Sequence, residues 1–231
     1  MSFSIRRQRR LCIRDSEKYV VQGGDWGSAI SSWTALLDPE RVMALHLTLV
    51  FANYPKHWQD PFAGVTDLEK RTLEQCRMRM AEGTGYQAIQ GSKPQTLGYG
   101  LNDSPAGLAA WITEKFHGWT DCNGELDSVV GKDELLTNIM LYWITGTITS
   151  STRLYFESNH VDNNLFENGR SETPTGCTMF PAELYQPPKV WAQKLYNIQH
   201  WTHQPKGGHF AALEQPALLA EDLRVFFRHF R

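Results

Sequence analysis

The stretch Lys18-Tyr19-Val20-Val21-Gln22-Gly23-Gly24-Asp25-Trp26-Gly27-Ser28 decides how the rest of the chain is read. A β-branched, apolar run ends in paired glycines. A carboxylate and a further glycine follow, and then a helix-like segment begins. This is the pattern of a strand-to-helix turn so tight that it demands small residues around its central side chain. The centre of such a turn presents a nucleophile, and here that residue is Asp25 rather than a serine or cysteine. Asp25 is equally placed to cap the helix that follows. The stretch alone leaves both roles open.

Working outward, Ser28 to Leu37 carries Ile30, Trp33, Ala35, Leu36 and Leu37 at helical spacing, and Asp38-Pro39 ends it. Arg41 to Val50 is apolar enough for a buried strand. Strand, helix, strand over about thirty residues is a βαβ unit, which implies a parallel sheet. From Phe51 the alternation stops. Thr66-Asp67-Leu68-Glu69 is a capping box opening a charged helix to about Ala81. Ser104-Pro105 opens another, Lys132 to Thr145 a third, and Thr147 to Phe156 a fourth. Helices inserted between parallel strands predict a cap over a sheet. Strand and helix signals then return. Thr175 to Met179 and Tyr196 to Trp201 read as strands, Pro188 to Leu195 as a short helix, and Pro216 to Phe230 as an amphipathic C-terminal helix. The expected organisation is a hydrolase core over 16–50 and 173–231, a helical cap over 51–172, and an atypical basic tail over 1–15.

Bulk composition excludes several classes. The 231 residues are 41% hydrophobic and 21% charged, so a core can form. A net charge of −2 argues against a nucleic acid as the dominant partner. No apolar run reaches the length of a membrane span. The tail Ile5-Arg6-Arg7-Gln8-Arg9-Arg10 is basic but lacks the apolar run of a secretory signal. Cys12, Cys76, Cys122 and Cys177 are isolated, which fits reduced thiols and a cytoplasmic chain. His200 and His203 fall short of a zinc ligand set.

Asp25, Glu183 and His209 all fall just after expected strands, where ligands bind in open α/β sheets. Nucleophile, acid, histidine is also the chain order of the α/β-hydrolase triad. Singly, each has an ordinary alternative: a helix cap, a surface carboxylate, a hydrogen-bonded structural histidine. Their joint placement favours chemistry. An aspartate nucleophile attacks carbon and leaves an alkyl ester, so the substrate is an alkyl electrophile such as an epoxide or alkyl halide. Histidine, oriented by Glu183, would activate water to cleave that ester. An epoxide also needs a proton donor for its leaving oxygen. Tyr86, beside Gly83-Thr84-Gly85, and Tyr155 are candidate phenols, although packing alone would explain a tyrosine in a cap.

From about Lys18 to Arg231 the chain resembles the carboxyl-terminal part of the microsomal-type epoxide hydrolases, which include insect juvenile-hormone and fungal members. The resemblance rests on Gln22-Gly23-Gly24-Asp25-Trp26-Gly27-Ser28, Gly85-Tyr86-Gln87-Ala88-Ile89-Gln90, Leu101-Asn102-Asp103-Ser104-Pro105-Ala106-Gly107-Leu108, and Gly207-Gly208-His209-Phe210-Ala211-Ala212-Leu213-Glu214. It implies a partial α/β-hydrolase fold with a mostly parallel sheet and an inserted helical cap. It further implies Asp25 as nucleophile, His209 as base, Glu183 as the acid that orients it, Tyr86 and Tyr155 as donors to the epoxide oxygen, and the Trp26 backbone N–H in the oxyanion hole. The implied reaction takes a small epoxide and water to a vicinal diol without a metal or organic cofactor. The resemblance is silent on oligomeric state.

The departure is at the start of the chain. The family has more sequence before the elbow, including further strands and a His-Gly-x-Pro loop that completes the oxyanion hole. No such motif occurs here, and His117-Gly118-Trp119-Thr120 lacks the proline. The expectation is an amino-truncated member with an exposed edge on the elbow strand and half of its oxyanion hole. A haloalkane-dehalogenase-like hydrolase and a catalytically inactive remnant are the alternatives.

Overall fold

The computed structural model describes residues 17–54, 57–81, 83–161 and 169–231. The basic tail and Cys12 lie outside them. The chain divides into two compact units: Met1–Cys76 with Asn164–Arg231, and Arg77–Asn163. The second falls inside the 51–172 expected as cap.

The first unit is built on a four-stranded sheet, β1 (Tyr19–Gly23), β2 (Val42–Leu47), β3 (Ser171–Met179) and β4 (Tyr196–His203), in that spatial order. Every pairing is parallel, with Gly23 opposite Leu47, Leu47 opposite Cys177, and Cys177 opposite Trp201. Among the described residues β1 has one strand neighbour, and Val20 on it is exposed. β2 is buried along nearly its whole length, as a central parallel strand covered on both faces must be. Leu45, Leu47, Val50, Cys177, Trp191 and Tyr196 form the centre of the core. Helix α1 (Trp26–Leu37) packs on the sheet, and its Ser32 hydroxyl meets the Tyr196 hydroxyl at 3.1 Å. Helix α2 (Asp67–Met80) begins with the expected capping box: the Thr66 hydroxyl accepts from Glu69 N at 3.2 Å, and the Glu69 carboxylate accepts from Thr66 N at 2.8 Å.

The second unit is helical: the last residues of α2, then α3 (Gly85–Ser92), α4 (Pro94–Asp103), α5 (Pro105–Trp119), α6 (Lys132–Thr145) and α7 (Ile148–His160). The Ser104 hydroxyl caps α5 by accepting from Gly107 N at 3.0 Å. Helices α3 and α4 were not among the expected elements. Their glycines argue against helix on propensity, yet Gly98 is a contact residue. A Cβ there would stand 2.4 Å from the Thr149 hydroxyl on α7. Close packing onto α7 outweighs the intrinsic cost of glycine, which is about 1 kcal/mol.

The chain ends on α8 (Lys189–Leu195), a short α9 (Ala211–Glu214) and α10 (Pro216–Phe227). α10 is tied to the sheet by a buried polar cluster. The Asp222 carboxylate accepts from Thr202 Oγ1 at 2.7 Å and from the Thr178 hydroxyl, and it faces His200 Nε2 at 3.0 Å and His46 Nε2 at 3.1 Å. Burial alone would raise its pKa, but these hydrogen bonds hold the carboxyl well below the usual range. Burial lowers the pKa of His46, against the pull of Asp222. Both shifts run the same way. A depressed carboxyl contributes stability above its unfolded pKa of about 4 and loses it on acidification, and a buried neutral histidine opposes folding below about pH 6.5. Asp222→Ala should destabilise the first unit by about 3–5 kcal/mol, because it orphans several buried donors. A lower urea midpoint at pH 7, together with a flatter loss of stability below pH 4, would bear this out.

Candidate active site

The backbone of Asp25 has φ 47° and ψ −129°, and Asp25 and Asn123 are the non-glycine residues with positive φ among those described. Such a conformation costs of order 1–3 kcal/mol and persists only where surrounding structure imposes it. The surroundings are visible. Ser28 N donates to Gly24 O at 3.1 Å and to Asp25 O at 2.9 Å, while the Ser28 hydroxyl donates to Gly23 O at 2.8 Å. A Cβ on Gly23 would fall 2.1 Å from Gly27 O, so the strand can turn this sharply only if residue 23 is glycine. Gly27 differs: nothing lies within 4 Å of a Cβ placed there, so the demand for small residues falls before Asp25 rather than on both sides. Asp25 occupies the N-cap position of α1, yet its side chain makes no capping hydrogen bond. The capping role is therefore not the one it fills.

His209 joins the two predicted carboxylates, Asp25 and Glu183. Its Nδ1 lies 2.6 Å from Glu183 Oε1, and its Nε2 lies 3.4 Å from Asp25 Oδ2. The His209 and Glu183 side chains are 3% and 1% exposed, whereas that of Asp25 is 46% exposed. The arrangement is thus a buried pair whose imidazole reaches out to an accessible carboxylate. Glu183 follows β3 and His209 follows β4, and the loops that carry them are stitched together. Ala182 N donates to Gly207 O at 3.0 Å between them, and within the first loop Gln186 Nε2 donates to Phe180 O at 2.8 Å. Trp26 opens α1, so its N–H belongs to the first turn, where backbone donors point out of the helix beside Asp25.

Burial by itself would lower the His209 pKa. The hydrogen bonds and charges of Asp25 and Glu183 outweigh it and raise the imidazole to about 10. At neutral pH the ring is an imidazolium between two carboxylates. Its contribution to stability is fully present below the ordinary pKa of about 6.5 and is lost as pH rises through about 10. Neutralising Asp25 removes one of the two charges and returns the ring toward a base.

The second unit brings Tyr86 and Tyr155 together, with ring centroids 5.7 Å apart in an edge-on arrangement. Tyr86 is buried on α3, and Tyr155 is half-buried on α7. Gln87 Nε2 donates to the Tyr86 oxygen at 3.0 Å. All the predicted residues are therefore organised within one or other of the two units. Glu214 closes the Gly207–Glu214 motif but carries no role in the sequence reading: on the short α9 it is buried, and its carboxylate brackets His209. Oε2 accepts from Gly208 N at 3.0 Å and Oε1 from Phe210 N at 3.1 Å. Its place five residues after His209, in a stretch otherwise rich in alanine, is the signal that could have marked it.

No family model matches the chain. It is 42% identical over 230 residues to juvenile hormone epoxide hydrolase 2 of Ctenocephalides felis, covering 90% of this chain and 49% of that protein. It is 40% identical over 230 residues to epoxide hydrolase 1 of Sus scrofa, covering 91% of this chain and 51% of that protein. The juvenile hormone epoxide hydrolase structure from Bombyx mori superposes with a TM-score of 0.85 at 31% identity, covering 97% of this chain and 57% of that one. The fold is that of the α/β-hydrolase epoxide hydrolases, and the resemblance read from the sequence holds over nearly all of the chain. The chain spans about half the length of the curated relatives it matches.

Geometry yields two expectations for variants. Asp25→Asn should lower the His209 pKa from about 10, observable in the pH titration of its ring protons by NMR; an unchanged titration would disprove the coupling. Glu214→Ala should cost about 2–4 kcal/mol, since it strips a charged acceptor from two buried backbone donors. Denaturant unfolding reads that loss, and Glu214→Gln should recover part of it.

Proposed function

We propose that the chain carries the catalytic residues of an epoxide hydrolase, adding water to a small epoxide to give a vicinal diol through an aspartyl alkyl-enzyme ester. The observation that carries this reading is Asp25. An accessible carboxylate in a strained, glycine-walled turn, spared from capping and 3.4 Å from His209 Nε2, is an aspartate held for attack. Similarity to epoxide hydrolases over nine-tenths of the chain supports the choice of electrophile.

The proposed sequence has two half-reactions. In the first, an Asp25 oxygen attacks an epoxide carbon, and the C–O bond breaks with its electron pair passing to oxygen. Tyr86 and Tyr155 donate hydrogen bonds to that oxygen, and one phenol surrenders its proton to it. In the second, the alkylated Asp25 no longer carries charge. The His209 imidazolium loses one of the carboxylates that raised its pKa, gives up its proton to solvent and becomes a base, and it takes a proton back from solvent once Asp25 is again a carboxylate. Glu183 keeps hold of Nδ1, so Nε2 faces the water. Water adds to the ester carbonyl carbon as His209 takes its proton, and the developing oxyanion meets the Trp26 N–H. Collapse breaks the ester C–O bond, the imidazolium protonates the departing diol oxygen, and the proton of the regenerated aspartic acid restores the phenol. The consumed species are one epoxide and one water.

The same reading assigns small molecules as partners rather than nucleic acid. Among the described residues no helix is long and apolar enough to cross a membrane. Cys76, Cys122 and Cys177 are buried thiols outside any disulfide, which fits the cytoplasm as the place of action.

Trapping the ester tests this directly. Incubation with styrene oxide should leave His209→Gln heavier by one epoxide, with the added mass mapped to the Asp25 peptide. The unsubstituted chain should release diol, and Asp25→Asn should do neither. Absence of both ester and diol from folded protein would refute the assignment.

A further inference from the structure

Lys115 stands out in the helical unit because its side chain is only 15% exposed although it ends in an ammonium. Lysines at helix surfaces usually extend their charge into water. Here the charge is turned onto aromatic rings. Nζ lies 4.5 Å from the Tyr86 centroid, 5.6 Å from that of Trp119 and 5.7 Å from that of Trp111. Trp111, Lys115 and Trp119 follow one another at four-residue spacing on α5, so they share one face of that helix. Tyr86 reaches this face from α3 and packs its ring 5.3 Å from that of Trp119. The acidic partner of Lys115 is its chain neighbour Glu114, at 2.6 Å, whose side chain is 63% exposed.

The surroundings of Tyr86 are therefore polarised in one sense. A cation sits over its ring, and the Gln87 amide donates to its oxygen at 3.0 Å. From α7 the titratable neighbour is Tyr155, and from α5 it is Lys115 with Glu114. A cation over a phenol ring and a donor on its oxygen both favour the phenolate over the phenol. Each makes the hydroxyl a stronger acid.

We propose that Lys115 is a positioning residue that tunes Tyr86 as the proton donor for epoxide opening, stabilising the tyrosinate formed when the ring oxygen takes the phenol proton. The proposal rests on the epoxide hydrolase reading for its chemical purpose, but not for the electrostatic coupling itself. In that step the C–O bond breaks with its pair on oxygen, the proton passes from Tyr86 to that oxygen, and negative charge is left on the phenol beneath the Lys115 ammonium. The charge is cancelled when the aspartic acid freed by ester hydrolysis returns the proton. Lys115 thus acts on the alkylation half-reaction and leaves the hydrolytic half, run by His209, untouched. Its influence grows with the basicity of the leaving oxygen. Unactivated aliphatic epoxides depend on it most, and epoxides bearing electron-withdrawing groups least.

The experiment begins with the tyrosinate absorbance of the purified chain near 295 nm, titrated upward in pH, with Tyr86→Phe identifying the step that belongs to Tyr86. Lys115→Met should move that step up by on the order of one pH unit, and Lys115→Arg should restore it. Lys115→Gln is made in parallel, as a polar neutral replacement should the methionine variant fail to fold. In single turnovers, Lys115→Gln should slow ester formation on an aliphatic epoxide several-fold while the hydrolysis rate of the preformed ester stays unchanged. A Tyr86 step that does not move in folded neutral variants overturns the proposal, whatever the activity. A step that moves in a chain forming no ester upholds the coupling and refutes the epoxide reading instead.

Discussion

The 2.6 Å contact between His209 Nδ1 and Glu183 Oε1 is the interaction on which the arrangement of the site depends. Both side chains are almost completely buried, so neither charge is tolerable without the other. The contact fixes the ring, and the ring's orientation sends Nε2 toward Asp25. It also joins the loops after β3 and β4, which backbone bonds between Ala182 and Gly207 hold in register. Glu214 locks the His209 loop from below through the N–H groups on either side of the histidine. Burial therefore does more than hide the pair: it makes misalignment expensive in free energy.

The electrostatics of the two units show the same logic with opposite signs. In the sheet unit, carboxylates surround an imidazole and raise its pKa, so the ring is cationic until Asp25 is neutralised. In the helical unit, an ammonium lies over a phenol ring, which favours charge on the phenol oxygen. Each unit places a charged side chain beside a titratable ring. The Asp222 cluster is a contrast. There the carboxylate is saturated by hydrogen bonds from three elements of the sheet, and its consequence is attachment of α10 rather than proton transfer.

The four-stranded sheet has β1, the strand that delivers Asp25, at its edge among the described residues. The elbow keeps its strained shape nonetheless, because the restraints on it are local. Gly23, Gly24, Ser28 and the strand partner β2 supply the bonds and close contacts that define the turn. Tightness of the turn and breadth of the sheet are separable constraints, and only the first bears on the geometry at Asp25.

Sequence alone determined the parallel strand–helix–strand unit, the helical insertion, and the candidates Asp25, Glu183, His209, Tyr86 and Tyr155. These were legible because their signals are local: hydrophobic period, a glycine-flanked carboxylate, a Gly-Gly-His loop, and motifs shared with known enzymes. Tertiary structure decided what no local pattern encodes. Helix α4 packs closely because Gly98 lets its backbone approach Thr149, and α3 because Gly91 lets it approach Asn159, contacts between residues far apart in the chain. That Asp25 makes no capping hydrogen bond follows from where its side chain points. Glu214, Lys115 and Asp222 read in sequence as the charged residues any surface helix carries. Their burial, and hence the strength of the fields they exert, arises only when distant segments close over them and remove water.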